Sequence, residues 1–188
     1  MDTKCSFKLP KFAAMPRMHE LLTAWDSWRE DDNVPLRSAV KLSQINSFLS
    51  QTMLLDMEIP DRVHCRYVGS VFQEIYGQDF TGQNYLDITA SRDRDVRSKR
   101  LFAIAKQPCI AVWAAEGEQG PGGLPSATGA SMPVRPDNPD SPMQLMHVVV
   151  QLGEVAFSGL ANQVRRENVQ LSDHFTLIDI GAGIPAVF

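Results

Sequence analysis

Cysteine is scarce in this chain, and its placement excludes two chemistries. The three residues, Cys5, Cys65 and Cys109, lie far apart in an odd-numbered set. That spacing provides neither a disulfide framework nor the short paired ligands of a structural zinc site, and it fits a reduced, cytoplasmic setting. Long apolar runs are missing as well. None approaches the roughly 18 residues of a membrane span, and Pro10 and Pro16 interrupt the N-terminal stretch before it can form the continuous apolar centre of a secretory signal. Basic excess is absent: a net charge of -4 does not release counterions from phosphate backbones, so neither nucleic acid nor membrane is expected as a partner. Reaction signatures are absent too. No Gly-x-Ser-x-Gly elbow occurs, Ser158-Gly159 falls on a strand-like stretch, and no Lys-Ser or Lys-Thr pair follows the glycines of residues 117–142.

What is present is an ordinary globular composition, 44% hydrophobic and 21% charged over 188 residues, which suits one domain with extensions. Residues 1–16 carry no periodic apolar stripe and are expected to form a flexible arm. Over Met18 to Asp31, Leu21, Leu22, Trp25 and Trp28 recur at helical spacing and form one apolar face. That face either covers the domain's own core or serves as a homodimer contact. A second, weaker helical stripe runs through Val40, Ile45, Phe48 and Leu49.

The densest stretch, Gln51 to Thr89, carries two period-two patterns, TMLLDME and RVHCRYVG, separated by a Pro60-Asp61 turn, which predicts a hairpin. In the second pattern Val63, Cys65 and Tyr67 share one face. SVFQEIY then reads as a short helix ended by Gly77, and residues 78–89 as a compact loop anchored by Phe80, Tyr85, Leu86 and Ile88. A longer helix is expected over about 91–106, with Val96, Leu101, Phe102 and Ile104 inward. The basic residues Arg92, Arg94, Arg97, Lys99 and Arg100 are interleaved with Asp93 and Asp95, so they read as its solvated face. CIAVWAAE gives a third strand. Residues 117–142, dense in Gly, Pro, Ser and Asp, read as a long exposed loop. Two further strands are expected over residues 143–164, turning at Leu152-Gly153, and residues 165–188 are a C-terminal extension holding either a short strand or a docked tail.

This order of elements resembles a PAS domain, in particular a bacterial, mainly alphaproteobacterial, subfamily. The resemblance rests on Pro35 and Arg37, the Leu54 to Asp56 strand, the Arg66 to Ser70 segment that ends its strand in a Gly-Ser pair, and the Tyr76 to Gly82 loop, and it spans residues 18–164. It implies an α+β fold: a five-stranded antiparallel sheet with helices packed on one face, flanking helices over residues 17–50, and the domain proper over residues 51–164. It further implies a sensory or regulatory module acting in signal transduction by binding a small molecule or a partner protein, without enzyme activity. An interaction adaptor with no small-molecule ligand is the alternative reading, and a haem or redox sensor a third.

Candidate site residues follow from type and position. Arg66, Tyr67, Trp113 and His147, on expected strands, with Phe72 and Phe102 on helices, combine apolar surface with a few polar groups in the way small-molecule pockets do. Leu21, Leu22, Trp25 and Trp28 are the candidate homodimer surface. No cofactor is expected. His64-Cys65-Arg66-Tyr67 superficially resembles a flavin-photosensor signature, but its strand period makes Cys65 a structural thiol. Haem would need an axial ligand from His19, His64, His147 or His174, and no two of these fall at a metal-ligand spacing.

Overall fold

The computed structural model describes residues 7–30, 32–116, 126–153 and 170–186. Its frame is a six-stranded antiparallel sheet in the order β2-β1-β5-β4-β3-β6. The strands are β1 (Thr52–Ile59), β2 (Arg62–Val68), β3 (Cys109–Glu116), β4 (Ala127–Val134), β5 (Gln144–Leu152) and β6 (Gln170–Asp179). Among the described residues three α-helices accompany them: α1 (Pro16–Ser27), α2 (Ser70–Tyr76) and α3 (Arg94–Lys106). No helix among the described residues is long and apolar enough to cross a membrane.

Alternation along the strands sorts side chains onto two covered faces. Met53, Leu55, Val63, Cys65, Ala111 and Leu145 join the core beneath α2 and α3, here the inner face. Val112, Ala130, Met132, Met146, Val148 and Ile178 point the other way, into a second core closed by α1. Helix α1 starts at Pro16, whose fixed φ and missing N–H suit the first helical position. Leu21, Leu22, Trp25 and Trp28 are all buried against the sheet, and the Trp25 indole donates to the Pro133 carbonyl at 3.0 Å. Of the two roles read for this face, own core and homodimer contact, the first is the one observed: a second copy cannot reach side chains already enclosed by their own chain.

Several expectations change here. Residues 7–15 are not a flexible arm, since Phe7 and Ala13 enter the outer core and Phe12 stacks on His174 at 5.0 Å. The helical stripe over residues 40–50 resolves into short 3-10 turns that bury Ile45 and Phe48. The loop expected over residues 117–142 contains β4, an interior strand with Ala130, Ser131, Met132, Pro133 and Val134 all buried. A strand covered on both faces needs small or apolar residues throughout and so shows no alternation. The strand expected over residues 154–164 lies outside the described residues, while β6 adds a sixth strand along β3.

The Tyr76 to Gly82 loop owes its shape to local chemistry. Gly77 ends α2 with φ 70°. The Asp79 carboxylate accepts the Thr81 amide at 2.8 Å, which holds it below the usual carboxylate range. Phe80 is fully buried and meets Tyr76 edge-on. The following segment hydrogen-bonds to β2 through Gly82 and Gln83 with Cys65, covering a strand edge that would otherwise expose unpaired backbone groups.

If α1 belongs to the core, Trp25→Ala should lower unfolding stability by about 3–5 kcal/mol, measured as a shift in the urea midpoint. A midpoint unchanged from the parent would show that α1 is detached in solution.

Candidate functional site

The site is built on three consecutive strands, β3, β4 and β5, on the inner face of the sheet. Trp113 of β3 lies opposite Gly129 of β4, and Ser131 of β4 lies opposite His147 of β5. A Cβ at position 129 would come within 2.4 Å of the Trp113 ring and 2.3 Å of the Val148 carbonyl, so only glycine leaves room for the indole to lie across the sheet. Thus laid down, the indole donates from Nε1 to Ser131 Oγ at 3.2 Å and stacks on the His147 ring, with centroids 4.7 Å apart and planes 9° from parallel.

Ser131 Oγ also lies 2.8 Å from His147 Nδ1. A serine oxygen accepts twice and donates once, so this contact forms with the imidazole proton on either ring nitrogen. Burial, reinforced by the nearby Arg97 charge, pushes the His147 pKa down to about 3, so the ring is neutral.

The opposite wall comes from α3 and the 3-10 turn Tyr85–Ile88. Asn84 positions that turn: its side-chain oxygen accepts the Val63 and Leu86 amides, and its amide donates to the Asp61 carbonyl. Tyr85 therefore projects inward, edge-on to His147 at 5.7 Å. Arg97 donates from Nη1 to the Tyr85 hydroxyl at 2.6 Å, and one turn further along α3 the Arg100 guanidinium lies 4.4 Å above the Phe175 ring of β6. Between these walls is a cavity of about 120 Å³, lined mainly by apolar side chains such as Phe72, Ile104 and Val149, with Arg97, Arg100, Tyr76, Tyr85, Ser131 and His147 among its charged and polar members. That volume approaches the roughly 150 Å³ of an apolar cavity that accepts benzene.

Of the six ligand residues expected from sequence, the structure brings Phe72, Trp113 and His147 together around this cavity and directs the other three elsewhere. Arg66 and Tyr67 are exposed because β2 carries a bulge: Leu55 pairs with Cys65 but Leu54 pairs with Tyr67, leaving Arg66 as the extra residue. The bulge breaks the alternation that placed Tyr67 beside Cys65, so Val68 becomes the next inward residue. Arg66 instead makes a forked ion pair with the buried Asp56, whose carboxylate also accepts from Gln144. The Tyr67 hydroxyl donates to the Leu49 carbonyl at 3.1 Å. Phe102 packs at the edge of the inner core and does not line the cavity.

Sequence reasoning missed Arg97, Arg100 and Ser131. Arg97 and Arg100 each stand four residues before a member of the buried stripe of α3, Leu101 and Ile104 respectively, and that spacing is the signal that separates them from their solvated neighbours Arg92 and Arg94, which pair with Asp93 and Asp87. Val96, expected inward, is exposed instead. Ser131 had no visible signal, since the whole of β4 reads as loop. Cys65 and Cys109 are buried free thiols, pushed up to about 12 and about 11 chiefly by desolvation. Among the described residues, no three His, Cys, Asp or Glu side chains are grouped as metal ligands.

Comparison with known families gives one finding: a family model described as PAS domain matches residues 14–128. No significant match was found among curated proteins or among solved structures.

Two measurements follow from the buried titratable groups. Because the His147 pKa is lowered on folding, the unfolded chain binds a proton that the folded chain refuses between pH 6.5 and about 3, so this contribution to stability falls as pH falls through that window. Its loss between pH 7 and pH 5 is expected to be about 2 kcal/mol and to disappear in His147→Gln, compared by urea unfolding at both pH values. In a Cys5→Ser background, native protein should react with an aromatic disulfide reagent only at its unfolding rate, since thiolate rather than thiol is the nucleophile; prompt labelling of either remaining cysteine would contradict their burial.

Proposed function

The chain belongs to the PAS domain family, a family of generally sensory, non-catalytic modules, and from that premise we propose that it is a signalling module that binds a small molecule between the inner sheet face and α3. Occupancy is passed on to a partner protein, and no reaction is catalysed. The observation that carries this reading is the cavity itself: a well-packed core has few voids larger than a water, whereas this one has ring-sized space edged by convergent polar groups. An adaptor using the same fold only as a docking platform has no need of that space.

Geometry also supports a binding rather than a catalytic role. Among the described residues, His147 is the cavity's one imidazole and no Asp or Glu appears in the lining; its Nδ1 is turned to a serine hydroxyl instead of a carboxylate. A general base needs a pKa near the working pH, and this ring is held far below it.

The experiment is native mass spectrometry of freshly purified protein, paired with thermal unfolding in the presence of a panel of small organic molecules. Expected is either a stoichiometric retained mass or a panel member that raises the midpoint by about 5 °C at concentrations near 100 times its Kd, with the effect lost in Val149→Phe, which fills the cavity. Bare protein that no compound stabilises, while Val149→Phe leaves stability unchanged or higher, would overturn the sensor reading in favour of the adaptor.

A further inference from the structure

Resting on the reading that the cavity is a ligand site, we infer that its ligand is an uncharged, single-ring aromatic molecule whose one polar group is a neutral oxygen, the class of phenols and aryl ketones.

The composition of the wall is the first argument. Ring-bearing side chains from five separate elements line the cavity: Phe72 and Tyr76 of α2, Tyr85 of the 3-10 turn, Trp113 of β3, His147 of β5 and Phe175 of β6. A ring enclosed by rings gains more than its buried area, because the electron-rich face of one attracts the electron-poor edge of the next. A saturated body of the same size forgoes that gain. Size sets the limit on the other side. A space of about 120 Å³ suits one ring and lies well below the roughly 300 Å³ at which pockets for larger organic ligands begin.

Charge is the second argument. Arg97 donates to the Tyr85 hydroxyl at 2.6 Å, and the fields of Tyr76 and Asp93 help to keep its guanidinium charged. Arg100 lies over the Phe175 ring and is engaged as well. Both cations therefore have partners before any ligand arrives. A ligand carboxylate would enter the field of Asp93 and give up its hydration against aromatic walls, a loss that already-partnered arginines do not repay. A ligand cation would meet two guanidinium groups in the lining. An uncharged molecule avoids both costs.

The remaining polar groups are the third argument. Ser131 is taken up by the Trp113 indole and His147 Nδ1, and the Thr89 hydroxyl by the Tyr85 carbonyl. The Nε–H of Arg97 is different: it is buried with no hydrogen-bond partner among the described residues. A buried donor needs an acceptor, and a phenol or ketone oxygen supplies one without importing charge. A plain hydrocarbon would leave it unmet.

The test is calorimetric titration of the full chain with two matched pairs, acetophenone against benzoate and phenol against cyclohexanol, with toluene as the ring that lacks an oxygen. Phenol or acetophenone should bind. Benzoate should be weaker than acetophenone by about tenfold or more, and cyclohexanol weaker than phenol by about threefold to tenfold. Arg97→Lys, which keeps the charge and removes Nε, should weaken phenol by about fivefold and leave toluene unchanged. Benzoate binding as tightly as acetophenone would overturn the uncharged assignment, and cyclohexanol matching phenol would overturn the aromatic one. Equal losses of phenol and toluene in Arg97→Lys would overturn the role of the oxygen. In each of those cases displacement by Val149→Phe would leave the ligand site standing. Binding of none of the five would overturn the inference, and if the open panel also found no ligand, the sensor reading would fall with it.

Discussion

The close approach of Trp113 to the backbone at Gly129 is the contact on which the site depends. An indole held flat on a sheet needs a partner strand without a side chain beneath it, and β4 provides that at one position only. From that single omission follow the ring's reach to Ser131 and its parallel stacking on His147, which Ser131 also contacts. A side chain at position 129 would lift the indole off the sheet and into the cavity, so the residue that creates the space is one that never touches its contents. The same logic explains why the site lies over interior strands: β3, β4 and β5 have neighbours on both edges, and their pairing fixes Trp113, Ser131 and His147 against one another with little freedom.

Covering the second sheet face is a separate requirement, met by α1 and the 3-10 turns that follow it. An antiparallel sheet with one solvated face would show polar residues there, yet Val112, Met132, Met146 and Val148 make this face as apolar as the other. Trp25 of α1 and Trp28 at its C-terminal cap are both consumed in closing it, and Trp25 ties the helix to β4 through the Pro133 carbonyl. The same strand thus carries Ser131 toward the cavity and the anchor of α1 on its opposite side. Cavity and flanking helix thus lie on two faces of one strand.

How much of this could be read in advance depended on whether local pattern and tertiary role agreed. The hairpin β1–β2, α2 with its Gly77 terminator, the helix beginning near Ser91, and β3 and β5 were legible because each combines a clear period with a clear stop. The failures share a cause: the pattern was overridden by something nonlocal. Strand β4 looks like a loop because interior burial and the Trp113 ring demand small residues, and small residues resemble linker. Tyr67 was assigned to the wrong face because one bulge at Arg66 reverses the alternation. Arg97 and Arg100 looked like solvated charge because composition counts residues, whereas the helix turns them toward Leu101 and Ile104. In the site, the aromatic members were visible and the charged ones were not, since aromatics announce burial by type and arginine announces it only by position.

That positional arginine also explains a tension in the energetics. A guanidinium drawn under protein surface loses hydration, and its partners, the Tyr85 hydroxyl at 2.6 Å with the fields of Tyr76 and Asp93, outweigh that loss and hold it charged. Its charge further depresses the neighbouring His147, so the imidazole remains neutral and adds no second repulsion.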